Sequence, residues 1–289
     1  MTILKDFLKG ILIGIANIIP GVSGGTMAVS VGIYDKLISS ITGLFKRFKK
    51  SILTLLPIVI GMLVGIVGLS YVITFALENY PLQTSTLFIG LIIGGLPVLL
   101  THVKGAKIRV PNVLLFIVFF AIVILMSVMN GQESSVTDIA VNVFTMLELF
   151  VAGIIASAAM IIPGISGSLI MMILGFYNIL ISNISTLVSA VLTGDMAGIL
   201  HGVGIFLPFG LGVIVGIFAV AKLIEWLLQN YPILTYSAIL GLVIGSPIAI
   251  LYESGITTFT IGGVLMSIIT FIIGFAITYL LGKEPQETA

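Results

Sequence analysis

Ile18-Ile19-Pro20-Gly21-Val22-Ser23-Gly24-Gly25 returns 143 positions later as Ile161-Ile162-Pro163-Gly164-Ile165-Ser166-Gly167-Ser168. At the same offset Gly32-Ile33-Tyr34-Asp35 aligns with Gly175-Phe176-Tyr177-Asn178. An insertion of eight residues follows, and the register resumes at an offset of 151. Pro57, Gly61 and Gly65 then align with Pro208, Gly212 and Gly216, and Asn79-Tyr80-Pro81 with Asn230-Tyr231-Pro232. Gly90 and Gly94 align with Gly241 and Gly245. So long a run of matches marks an internal duplication rather than chance. The first repeat occupies residues 1–138 and the second 139–289.

The surroundings of the repeated phrase are apolar. Of 289 residues 12 are Lys or Arg and 11 are Asp or Glu, while 59% are apolar. A water-soluble domain carries about 25% charged residues; this chain carries 8%. Mean hydropathy is +1.31. Runs such as Ile52–Leu77, Asn112–Asn130 and Gly202–Val220 approach or exceed the ~20 apolar residues that cross a bilayer. The expected fold is an all-α polytopic membrane protein, with both repeats in one membrane domain. Absence of cysteine excludes disulfides, thiolate metal sites and cysteine nucleophiles. A net charge of +1 offers no electrostatic footprint for nucleic acid. Lys5, Asp6 and Lys9 before an apolar run outline a signal peptide, but no small-residue cleavage site follows and the pattern recurs in the second repeat. The segment therefore reads as part of the mature fold.

Each repeat holds five apolar segments: 3–19, 24–45, 51–78, 82–101 and 112–130, then 139–162, 166–190, 201–229, 233–252 and 257–282. The first two flank the Pro-Gly phrase, and we read them as a re-entrant helical hairpin followed by about three transmembrane helices. The uncharged run Gly10–Ile19 makes ~15 Å of helix, half of the ~30 Å hydrocarbon core. Beyond the phrase, Leu37, Ile38, Ile41, Leu44, Phe45 and Phe48 recur at helical spacing between polar residues, as in an interfacial amphipathic helix. A module that crosses three or five times crosses an odd number of times, so the second copy is inverted relative to the first. Lys46, Arg47, Lys49, Lys50, Lys104, Lys107, Arg109 and Lys283 fall on one side; Glu133, Asp138, Asp195 and Glu253 fall on the other. The positive-inside rule then puts both termini in the cytoplasm.

A Pro-Gly-x-Ser-Gly break at membrane depth strands backbone groups, which is tolerated only where protein buries them or a cavity solvates them. Each phrase also begins the helix that follows, so free N–H groups and the positive end of a helix dipole face the bilayer interior. Glycine permits close approach, and hydroxyls add donors. Two inverted copies would offer an anion, phosphate above all, a pair of such ends. The candidate phosphate-binding groups are Gly21, Ser23, Gly24, Gly25 and Thr26 in the first copy, and Gly164, Ser166, Gly167 and Ser168 in the second. Small residues also serve close helix packing, which explains one such motif well; two in inverted halves favour a site. Helix ends contribute ~0.3–2 kcal/mol each and charge-assisted hydrogen bonds ~1.5–3 kcal/mol each. Without Lys or Arg at either tip, such a cradle holds an anion reversibly, which suits transport.

Glu148, in the apolar approach to the second hairpin, is the candidate for proton coupling, since carboxylates inside a membrane are functional by default. Asp35 reads as a gating residue or as part of a solvated face. Protons or another ion would be the coupling partner. Lys222 and Glu225, three apart, read as an ion pair. His102 and His201 are too few for a metal site, and neither a metal nor a cofactor is expected. No nucleophile–base or paired-carboxylate pattern is recognisable.

The ten residues Ile-Ile-Pro-Gly-Val-Ser-Gly-Gly-Thr-Met (18–27), with Gly-Ile-Tyr-Asp (32–35) and the second copy at 161–168, resemble the bacterial polyprenyl-phosphate transporter family over essentially the whole chain. The resemblance implies transport of undecaprenyl phosphate from the outer to the inner leaflet, recycling the lipid carrier of cell-wall polymers. Ser168 and Leu169 stand where the first copy has Gly25 and Thr26, so the second tip is expected to cradle less closely. The rival readings are an ion-coupled secondary transporter of a soluble anion, an intramembrane lipid phosphatase and a non-catalytic scaffold. A water-filled vestibule would favour the first, a nucleophile with a base or a basic clamp the second, and failure to bind anions the third.

Overall fold

The computed structural model describes residues 2–19, 22–128, 139–256 and 260–282. Among them the chain is helix and turn, without a strand. The first repeat contributes α1 (Thr2–Ala16), α2 (Gly24–Ser30) and α3 (Tyr34–Thr42), then α4 (Phe48–Leu63), α5 (Leu69–Asn79), α6 (Pro81–Thr101) and α7 (Val110–Val128). A π turn at Val64–Gly68 joins α4 to α5. The second contributes α8 (Val143–Ile161), α9 (Gly167–Ile173), α10 (Tyr177–Thr193), α11 (Met196–Asn230), α12 (Pro232–Glu253) and α13 (Ile261–Gly282). Among the described residues, seven stretches are long and apolar enough to cross a bilayer: α4 with α5, α6, α7, α8, α11, α12 and α13. This is a multi-pass membrane protein.

The duplication is visible element by element. α2 and α9 have the same length and are followed by Gly32 and Gly175 at φ +70° and +78°. A left-handed residue there ends a helix cheaply only as glycine. α3 and α10 then both open on tyrosine, Tyr34 and Tyr177; α9 and α10 meet at 104°. Pro81 and Pro232 occupy the first turns of α6 and α12, where the missing N–H costs nothing. The Thr84 hydroxyl donates to the carbonyls of Ala76 and Tyr80, and that of Thr235 to those of Leu227 and Tyr231. The same corner is sealed twice.

One expected element is shorter than its periodicity. The amphipathic pattern from Leu37 to Phe48 does not form one helix, because α3 stops at Thr42. Gly43 opens a 3₁₀ turn that contains Phe45, and Phe48 begins α4. Glycine is the weakest helix former after proline, and apolar spacing alone does not carry the helix past it.

The chain packs as two compact units, one of residues 1–129, 162–165 and 221–289, the other of 130–161 and 166–220. In the first, α1 crosses α4 on glycines. A methyl on Gly61 would lie 2.1 Å from the Phe7 carbonyl oxygen, and one on Gly10 2.3 Å from that of Ile58. α6 rests on α13 at Gly90 and Gly94, against the backbone of Phe271 and Phe275, and α12 rests on α7 at Gly241 and Gly245, against Phe116 and Phe120. The helix that closes each repeat thus packs on the fourth apolar segment of the other. In the second unit α8 crosses α11 in the same way, a methyl on Gly212 lying 2.0 Å from the Phe150 carbonyl. Phe150 is the repeat counterpart of Phe7. Lipid is as apolar as leucine, so helices in a bilayer associate through such close contacts. Within the first unit α6 and α12 are the most enclosed spans, with 56% and 67% of their apolar windows buried, against 17% for α7, α13 and α4–α5.

Candidate functional site

At the first Pro-Gly-x-Ser-Gly copy, Ser23 is the N-cap of α2 and its hydroxyl accepts the Thr26 N–H at 3.0 Å. The Ser23 and Thr26 hydroxyls are 2.9 Å apart. Both also accept the backbone N–H of Gly164, at 3.0 Å and 2.6 Å. The second phrase therefore donates its own backbone to the hydroxyls of the first. Helix geometry leaves Gly24 and Gly25 N–H without an intrahelical acceptor. Gly164 sits at φ +79°, hemmed by the Leu242 carbonyl and Val123. All of α2 is buried, Thr26 completely, and the Asn17 side chain lies over Gly24.

The second copy repeats the cap but not the enclosure. Ser166 caps α9, accepting from the Leu169 N–H at 3.5 Å, and its hydroxyl is 2.8 Å from that of Ser168. Ser168 is exposed, and Met171 is the one fully buried residue of α9. Met160 lies over Gly167, where the first copy uses Asn17. The looser second tip follows from these exchanges.

A second polar group lies around the start of α3. Asp35 accepts the Tyr236 hydroxyl at 2.5 Å and has the His102 Nε2 3.8 Å away. The His102 and Tyr236 rings stack with centroids 4.1 Å apart. These residues, with Val29, Gly32, Tyr34, Val98, Leu99 and Ile239, line a cavity of about 20 Å³. Burial pushes the neighbouring Tyr34 phenol above its ordinary pKa, and the Asp35 charge adds to the effect. On the far side of Asp35, Lys36 pairs with buried Asp6 at 2.6 Å. Lys9 is also buried; loss of solvation lowers its pKa, with the Asp6 charge opposing.

A family profile described as undecaprenyl phosphate translocase-like matches residues 13–258 and 203–288. The chain belongs to this family. It is 34% identical over 286 residues to the polyprenyl-phosphate transporter of Staphylococcus aureus (strain NCTC 8325 / PS 47), covering 98% of this chain and 97% of that protein. It is 29% identical over 263 residues to the polyprenyl-phosphate transporter of Vibrio cholerae serotype O1, covering 85% and 77%. No solved structure matches it at a significant level.

In this translocase-like chain Ser23, Gly24, Gly25, Thr26 and Gly164 come together in the first compact unit, and Ser166, Gly167 and Ser168 cluster in the second. Gly21 lies outside the described residues, as do Glu133, Asp138 and Lys283. Glu148 is exposed on α8, at the repeat position of Lys5. The expected Lys222–Glu225 pair does not form, and Lys222 is exposed. Such exposed i,i+3 pairs are worth too little to hold two long side chains together. Among the described residues no group of three or more His, Cys, Asp or Glu could hold a metal.

The periodicity did not point to Tyr236, His102, Asp6 and Lys9. Repeat asymmetry could have: Asp35, His102 and Tyr236 face Asn178, Glu253 and Ser85 in the alignment, and Asp6, Lys9 and Lys36 face Leu149, Ala152 and Ile179. The last three are buried apolar residues.

Proposed function

We propose that this protein carries a polyprenyl phosphate from the outer to the inner leaflet of the bacterial cytoplasmic membrane. The Pro-Gly-x-Ser-Gly tips handle the phosphate while the prenyl chain stays in lipid. The contact that carries this reading is the Gly164 N–H on the Ser23 and Thr26 hydroxyls. A backbone donor held by neutral hydroxyl oxygens gains from exchange for a charged phosphate oxygen, because charge-assisted hydrogen bonds are roughly twice as strong. The tip thus has a backbone donor to lend to an arriving headgroup. Both termini lie in the cytoplasm, the repeats have opposite orientation, and the lipid is moved without being cleaved.

Reconstituted leaflet exchange of a fluorescent polyprenyl phosphate tests the reading. Losing one charge-assisted hydrogen bond costs ~1.5–3 kcal/mol, so Ser23→Ala with Ser166→Ala should slow exchange by roughly tenfold or more. Exchange equal to wild type would remove the tips from the mechanism.

A further inference from the structure

We infer that Lys9, with Lys36 beside it, forms a second phosphate site, which takes the phosphate monoester once it has left the tips. Where that phosphate is the headgroup of the transported lipid, the inference rests on the transport reading above.

Its starting point is an ammonium without a partner. Lys9 is 7% exposed, and lysine is almost never so enclosed unless it is paired. Among the described residues, however, the Lys9 ammonium makes neither a hydrogen bond nor an ion pair. The carboxylate that acts on it, Asp6, is already taken by Lys36 at 2.6 Å. Two ammoniums therefore share one carboxylate, and Lys5 adds like charge. The cluster is short of negative charge, and a phosphate monoester brings about −1.5 to −2.

The site is also open to a ligand. Among the described residues no side-chain nitrogen or oxygen is both fully enclosed and without a partner. The unpartnered Lys9 nitrogen therefore reaches an opening while its stem is buried, as long cationic side chains do. Asp6, Lys9, Ile13 and Ala16 follow one another at helical spacing and are all buried. Lys9 thus lies on the face of α1 that leads to the first tip. The seven residues from Lys9 to Ala16, where α1 ends, span roughly 10 Å of helix. Side chains lean toward the N-terminus of their helix, so the ammonium extends away from the tip. One phosphate cannot be held at both, and the two are successive stations.

The second repeat supplies an internal control. Leu149, Ala152 and Ile179 stand at the positions of Asp6, Lys9 and Lys36, and all three are buried. The same limb is built there without charge, so packing does not require the charges of the first. A cation in one limb only gives the headgroup a firmer hold on one side of the tips than on the other.

The test is labelling of Lys9 by a small amine-acylating reagent, read by mass spectrometry on the purified protein as polyprenyl phosphate is added. The lipid should protect Lys9 saturably, in wild type and in the Ser23→Ala, Ser166→Ala variant alike, while exposed Lys107 stays reactive. Polyprenol, the same chain without phosphate, should leave Lys9 reactive. In the double-alanine background, Lys9→Ala, which copies Ala152, should weaken binding of fluorescent polyprenyl phosphate roughly tenfold or more, as expected for a lost charge-assisted hydrogen bond. Lys9→Met should do the same and decides the matter if Lys9→Ala does not fold. Inorganic phosphate separates the sources of the ligand: protection only far above the lipid concentration assigns the site to the lipid headgroup, and protection at equal concentration assigns it to free phosphate. No protection by either, protection by polyprenol, or variants that bind as tightly as their background overturn the proposal. Wild type that protects Lys9 but moves no lipid between leaflets would overturn the transport reading and leave the phosphate site standing.

Discussion

Gly164 is constrained twice, by a left-handed φ of +79° and by the Leu242 carbonyl 2.9 Å from where a Cβ would stand. Gly105 shares the conformation, at φ +77°, but has nothing within 4 Å. Left-handed backbone costs an L-residue roughly 1–2 kcal/mol, so Gly105→Ala should lose about that much and Gly164→Ala clearly more. Thermal unfolding in detergent checks the order. The buried charges near the start of the chain invite a second comparison. Asp6→Leu strands Lys9 and Lys36; Lys36→Ile strands Asp6. Unpairing a fully buried ion costs about 3–5 kcal/mol, and less is expected here because the Lys36 side chain is 38% exposed. The triple change Asp6→Leu, Lys9→Ala and Lys36→Ile copies the second repeat and should be milder than either single change. A triple variant less stable than both would show that the charges stabilise the fold rather than serve a task.

Helix α1 crosses α4 and the π turn that follows it at Gly10, Gly14, Gly61 and Gly65, and α8 crosses α11 at Gly153, Gly212 and Gly216. Because Phe7 and Phe150 oppose equivalent glycines at 2.1 Å and 2.0 Å, Gly61→Val and Gly212→Val should destabilise by similar amounts. Overpacking costs about 1–3 kcal/mol or more. Gly210, two residues away on the opposite face of α11 with nothing within 4 Å, is the control. Gly210→Ala should be neutral or stabilising by up to about 1 kcal/mol, since alanine is the better helix former. Unequal losses in the two crossings would mean that the repeats no longer share their packing. These glycines were legible as a register in the sequence, where each matched its partner. The helix against which each packs was not, because a glycine's place in a repeat carries no information about the backbone that approaches it.

Orientation is a property of the complete chain and can be read without background, because the protein has no cysteine. Lys104→Cys should react with an impermeant thiol reagent only from the cytoplasmic side and Asp195→Cys only from outside, as the charge bias of the loops demands. Labelling of both from one side would refute the inverted arrangement. Helix content, the membrane-spanning stretches and the doubled tip follow from apolar run length and from a repeated string of helix-breaking residues, and these are local or periodic signals that need no knowledge of neighbours. The Ser23 and Ser166 caps were readable for the same reason, since an N-cap acts three residues away. Folding brought the Gly164 N–H onto Ser23 and Thr26 across 138 and more residues, stacked His102 on Tyr236, and handed Asp35 to a tyrosine 201 positions distant. It also packed the closing helix of each repeat on the other repeat. Pairings of that kind depend on which helix surfaces meet, and hydrophobic periodicity says only that a surface is buried, never what buries it.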